Sequence, residues 1–122
     1  TLRRRMSDPT HEAVETLVHA LNHGGLPEIL DAFTDDAVFS SDGGIASGRR
    51  ELAALFDGTL EEPRPRMILR HTERDGNVLH CRATRRFTIS DGEQAIGHDV
   101  EIRCVFTVVE GAVARVVVDP IQ

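Results

Sequence analysis

Two side chains in this sequence could do chemistry together, Arg85 and His98. A guanidinium presents a rigid fork of donors that suits a carboxylate or an enolate. An imidazole titrates near neutral pH and can act as general acid or base. Ser41, Asp42 and His71 are further polar groups expected near the rim of the same hollow. Asp42 or Asp99 would serve as a base if buried among apolar groups, because burial raises a carboxylate pKa. Each candidate also has a plainer reading. Arg85 would serve equally as a structural ion-pair member, or run its stem to the rim. His98 would serve as a satisfied core or rim histidine. Asp42 precedes Gly43-Gly44, and Asp before glycine is ordinary turn chemistry.

Arg85 and His98 can cooperate only if they point into one space, so the strands that carry them decide the matter. After Pro65 the hydrophobic period switches from helical to alternating. Arg66–Arg74, Val78–Ile89, Gln94–Val109 and Val113–Val118 read as strands, joined by turns at Asp75-Gly76, Ser90-Asp91-Gly92 and Glu110-Gly111. Alternation puts His98, Val100, Ile102, Cys104, Phe106 and Val108 on one face of the long strand. Leu79, Cys81, Ala83, Arg85 and Phe87 share the apolar face of its neighbour, and Val116 and Val118 that of the last strand. His80, Arg82, Asp99, Glu101, Arg103, Arg115 and Asp119 would face outward, with Val105, Val109, Val113 and Val117 among them.

The first half supplies the layer that covers the apolar face. Asp8 caps and Pro9 opens a helix with Val14, Leu17, Val18 and Leu21 as its apolar stripe. Gly24-Gly25 is expected to end it in a left-handed cap. Pro27 opens a short second helix with Ile29, Leu30 and Phe33 inward, broken by Asp35-Asp36. Ala37–Ser41 reads as a short strand. Ser47 is placed to cap a third helix, Arg49–Leu60, with Leu52, Leu55, Phe56 and Leu60 on one face, and Pro63 and Pro65 end it. Helices followed by long strands imply an α+β fold, three N-terminal helices on a curved antiparallel sheet.

Other constellations are weaker. His11, Glu15, His19 and His23 stack four apart on the first helix, and two histidines so spaced can hold a metal. They lie away from the apolar stripe, so a solvated polar face is expected and no metal. Cys81 and Cys104 form no CxxC pair and read as buried free thiols. There is no phosphate loop or GxSxG elbow, and no cofactor is expected. All 14 basic residues are Arg, which excludes lysine chemistry and reads first as coding bias. A net charge of -6, five Phe and no Tyr or Trp argue against nucleic-acid or anionic-membrane partners. No apolar stretch suits a signal peptide or a membrane span, so a cytoplasmic protein is expected. Met6 reads as the natural start, with residues 1–7 a tail and 8–122 one domain.

Several strings, in this order, resemble the nuclear transport factor 2-like superfamily in its SnoaL-like branch. They are Ala20-Leu21-Asn22-His23-Gly24-Gly25-Leu26, Phe33-Thr34-Asp35-Asp36-Ala37-Val38-Phe39, Gly48-Arg49-Arg50-Glu51-Leu52 with Phe56, and Val105-Phe106-Thr107-Val108-Val109-Glu110-Gly111-Ala112-Val113. The resemblance spans about Asp8 to Asp119 and implies a cone-shaped α+β barrel with an apolar pocket. Leu17, Ser41, Asp42, Phe56, His71, Phe87, Phe106, Val116 and Val118 are expected to line it, with His98 and Arg85 as catalytic candidates.

The relatives' known chemistries fit poorly. In the ketosteroid isomerase pattern the tyrosine position falls at Leu17, the base at Ser41 and the second acid among Ile102–Cys104. In the limonene epoxide hydrolase pattern Arg85 supplies the arginine. No Asp lies two residues from it, and Asp119, near the second acid's place, faces outward. The resemblance therefore implies a small apolar molecule as partner and a homodimer through the outer sheet face. It leaves open a cofactor-independent isomerase, cyclase or hydrolase on a carbonyl or polyketide-like compound, or a non-catalytic ligand-binding or dimerisation module.

Overall fold

The computed structural model describes residues 8–61 and 63–121; the expected tail at 1–7 lies outside them. Helix α1 runs Pro9–His23, α2 Leu26–Asp31 and α3 Gly48–Asp57. The strands are β1 Phe33–Ser41, β2 Gly44–Ser47, β3 Arg66–Asp75, β4 Val78–Asp91, β5 Gln94–Val109 and β6 Ala112–Pro120. The α+β class is as expected, three helices on a curved sheet. The sheet order is β2-β1-β6-β5-β4-β3. It is mixed rather than wholly antiparallel, because β1 runs parallel to β6. It does not close into a barrel, and β2 and β3 are its two edges.

Local chemistry explains the helix ends. Asp8 accepts from the Thr10 N–H at 3.0 Å and so satisfies one orphan donor of α1. Gly24 and Gly25 do not form the expected left-handed cap, since both are extended, at φ -89° and -94°. Gly24 is needed for space instead. A Cβ there would stand 3.0 Å from the Ala20 carbonyl oxygen and 3.1 Å from the Glu28 Cβ. The Ser47 side chain makes no capping bond to α3; its N–H donates to Glu51 Oε1 at 2.8 Å, a carboxylate of the first turn. Helix α3 stops at Asp57, and Leu55 is 41% exposed rather than inward.

The core lies between the helices and the inner sheet face, with Leu17, Ile29, Leu52, Leu79, Phe106, Val113 and Val116 almost wholly buried. Residues 33–36 belong to β1, so Asp35-Asp36 sits within a strand, at an irregularity in the β1–β6 register. Two further register shifts reset side-chain parity. One falls between Leu69 and His71 on β3, the other opposite Thr107 and Val108 on β6. The second turns Val113 inward, although simple alternation put it outside.

Candidate functional site

A cavity of about 60 Å³ lies where the C-terminal end of α1, the end of α3 and the inner sheet face meet. Phe39, Phe56, Met67 and Val118 give it apolar walls, and Arg64, Arg66 and Arg85 bring three guanidinium groups to it. Phe39 meets Phe56 edge-on with centroids 5.4 Å apart, which fixes that wall.

Asn22 ties helix to sheet. Its amide donates to the Met67 carbonyl at 2.8 Å and accepts from the Met67 N–H at 2.7 Å. The side chain thus stands in for a neighbouring strand on the free edge of β3. Arg64 and Arg66 serve the same helix end. Arg64 Nη1 donates to the Gly24 carbonyl at 2.7 Å, and Arg66 Nη1 to the Asn22 carbonyl at 2.6 Å. Cations are favoured at a helix C-terminus, where carbonyls are left over.

Arg85 is different. It is half-buried, flanked in register by Met67 and Val100. Its guanidinium carbon lies 5.1 Å from the ring centroid of Phe87. Among the described residues no carboxylate or hydrogen-bond acceptor engages it. It is a cation on an apolar wall with donors to spare.

The sequence profile of the SnoaL-like domain matches residues 14–116. This chain belongs to the SnoaL-like domain family. No curated protein matches it by sequence. Solved structures match it by fold. The epoxide hydrolase/cyclase-like enzyme SalBIII, of pyran ring formation in polyether salinomycin, is 19% identical with a TM-score of 0.78 over 93% of this chain and 91% of that one. A nuclear transport factor 2-like protein of unknown function from Burkholderia pseudomallei is 17% identical with a TM-score of 0.77, over 94% and 92%. An epoxide hydrolase from M. tuberculosis, like limonene epoxide hydrolase, is 20% identical with a TM-score of 0.74, over 93% and 83%.

Of the residues read as pocket-lining in this SnoaL-like domain, Phe56 and Val118 line the cavity, together with Arg85. Leu17, Phe106 and Val116 are buried in the core and do not line it. Ser41 is half-buried and accepts from the Gly43 N–H at 3.3 Å, while Asp42 is exposed in the turn. His71 does not reach the rim. The shift at Arg70 brings it opposite Arg82, on the outer face, where it borders a groove with His80 and Arg103. Phe87 and His98 stand directly opposite each other, on the face that carries Arg85. Phe87 is half-buried; His98 is exposed and is not part of the cavity wall.

Asp99 is not a base in waiting. Arg86 grips it on the outer face through two bonds, 2.9 and 3.1 Å, and the ion pair holds its carboxyl below the usual range. Asp119 is exposed opposite Arg103. Cys81 and Cys104 are free, buried and directly opposite one another. Burial pushes their thiols up to about 11 and about 12, so neither is a ready nucleophile. Among the described residues no three His, Cys, Asp or Glu side chains group to hold a metal. His19 and His23 lie with ring centroids 5.2 Å apart and planes tilted by 48° on the exposed side of α1. Among the described residues no helix is long and apolar enough to cross a membrane.

The sequence reading missed Asn22, Thr59, Arg64, Arg66 and Met67 as lining residues. Arg64 lies between Pro63 and Pro65, where no periodicity assigns a direction, and Arg66 was read only as the first residue of a strand. Asn22 carried one available signal, a polar residue at a helix end beside two glycines.

Proposed function

We propose that this SnoaL-like domain binds a small, largely apolar molecule through an anionic or strongly polarised oxygen held by Arg85. The observation that carries this is half-buried Arg85, whose guanidinium has no carboxylate partner among the described residues, beside the apolar Phe39, Phe56, Met67 and Val118 of the cavity. Leaving a cation partly desolvated is unfavourable, and an anionic ligand group would offset that cost. Charge-assisted bonds from a guanidinium fork give such a ligand both affinity and orientation. The cavity, at about 60 Å³, takes a carboxylate head or a few waters.

A second reading, catalysis without a cofactor, is favoured by the Phe87–His98 pairing. It makes His98 a diagonal neighbour of Arg85, roughly 7–8 Å away between Cα atoms. A ligand oxygen on Arg85 would gain negative charge as His98 takes a proton from the adjacent carbon, which is isomerase- or cyclase-type chemistry. The named epoxide hydrolase and cyclase-like neighbours lend this reading support from fold alone.

NMR titration with butanoate tests the binding reading. Arg85→Gln should weaken binding by about 10- to 100-fold, the worth of a hydrogen bond to a charged group. Equal affinities for the two proteins would refute it. Exchange of the α-protons of a small ketone, lost in His98→Ala, would decide for catalysis.

We also propose a homodimer through the outer sheet face. Val105 and Val117 are cross-strand partners there, and Ile45 on edge strand β2 is 70% exposed. A monomer in light scattering at micromolar concentration would contradict it.

A further inference from the structure

The cavity is too small for a whole ligand of the proposed kind. Sites that enclose drug-sized molecules measure roughly 300–1,000 Å³, against about 60 Å³ here. A carboxylate head fits; the apolar body must lie elsewhere. On the Arg85 side a continuation runs along the sheet. Strand β3 stops pairing with β4 at Arg66↔Arg86, and β6 stops pairing with β5 at Ile102↔Pro120. Beyond those pairs, residues 87–91 and 94–98 pair with each other and with no third strand among the described residues. They form a two-stranded arm that extends past the sheet. A bare two-stranded ribbon is marginal in water unless something covers its apolar side.

That side is continuous with the cavity. The β4–β5 register runs without a shift from Val78↔Thr107 to Asp91↔Gln94, so parity holds along the whole arm. Arg85, Phe87, His98, Val100 and Ile96 therefore share the concave face. Phe87 and Val100 are half-buried, and Ile96 is 50% exposed. Arg85 stands at the cavity end of that row and His98 is polar, while Phe87, Val100 and Ile96 are apolar, a charge with an apolar run beside it that matches an amphipathic acid.

Resting on the Arg85 reading above, we infer that the ligand is an amphipathic monocarboxylate. Its head sits on Arg85, and its chain or ring lies outward along the arm over Phe87, Val100 and Ile96. Covering each further methylene strengthens binding, by about two- to fourfold where the surface is half open.

Straight-chain butanoate, octanoate and dodecanoate test this on the full chain, with 13C-methyl-labelled isoleucine as reporter. Affinity should rise at least tenfold from butanoate to octanoate. The Ile96 methyl should shift with octanoate and not with butanoate. Ile96→Ser, at an exposed position, should flatten the length dependence. Butanoate binding that depends on Arg85, with no gain from chain length and no Ile96 shift, would overturn the inference and spare the Arg85 reading. Binding indifferent to Arg85→Gln would overturn both. An Ile96 shift that follows protein concentration without carboxylate would assign the arm to a second copy and overturn the inference as well.

Discussion

Replacing Arg85 by methionine should stabilise the ligand-free protein while removing its carboxylate binding. Methionine has nearly the length of the arginine stem, so packing against Met67 and Val100 is kept. The charge is removed from a half-buried position with no acceptor among the described residues. A lone charge fully buried costs several kcal/mol; at half exposure we take roughly 1–2 kcal/mol. Loss of the contact with Phe87 works against this by about 0.5 kcal/mol at a partly exposed site. The net is a gain of about 1 kcal/mol, or roughly 3–5 °C in Tm for a domain of this size. Thermal unfolding at low ionic strength, followed by circular dichroism, measures it. Added octanoate should raise the wild-type Tm with concentration and leave the variant's unchanged. A methionine variant less stable than wild type by 1 kcal/mol or more would show that Arg85 holds a structural partner. The reasoning from a spare cation would then fail.

Four further outcomes follow from the geometry. Gly24→Ala should cost about 1–3 kcal/mol in denaturant unfolding, because the added methyl meets the Ala20 backbone and the Glu28 Cβ, neither of them the free end of a flexible side chain. Asn22→Ala removes both bonds to Met67 and should cost about 2 kcal/mol, with faster amide exchange at Met67. Iodoacetamide at pH 8 should modify neither Cys81 nor Cys104 in the native protein and both after denaturation, read by intact mass. Asp99 has a lowered native pKa, so what the Arg86 pair contributes is fully present above the unfolded carboxyl pKa of about 3.9 and is lost as pH falls through the native value. The Tm gap between wild type and Asp99→Asn should therefore shrink below about pH 4, and a gap that widens on acidification would contradict the pairing.

How far the sequence could be read depended on whether each inference was local. Helix starts depend on a few neighbouring residues, and Asp8-Pro9 announced α1 correctly. The end of α1 did not follow the same logic. Gly24 is set by the approach of Glu28 from the next helix, a contact no local pattern encodes. Edge strand β2 was read as turn and cap, since its four residues have too short a run to show alternation. The parallel pairing of β1 with β6 joins segments at opposite ends of the chain, and nothing local announces such a partner.

Site residues sorted by the same criterion, with parity as the carrier. Between Val78 and Thr107 the β4–β5 register is unbroken, so alternation counted from Cys81 and Cys104 placed Arg85 and His98 on one face correctly. On β3 one extra residue at Arg70 reversed every direction after it and sent His71 outward. Parity says which face a side chain takes but not how far along the strand the helices reach. That second coordinate separates the two candidates. Arg85 lies level with Met67, under the end of α1 that Asn22 ties down. His98 lies one row further out, opposite Phe87, past the last pair that β3 makes. Whatever His98 does, it does outside the cavity wall, on the exposed part of the strand pair.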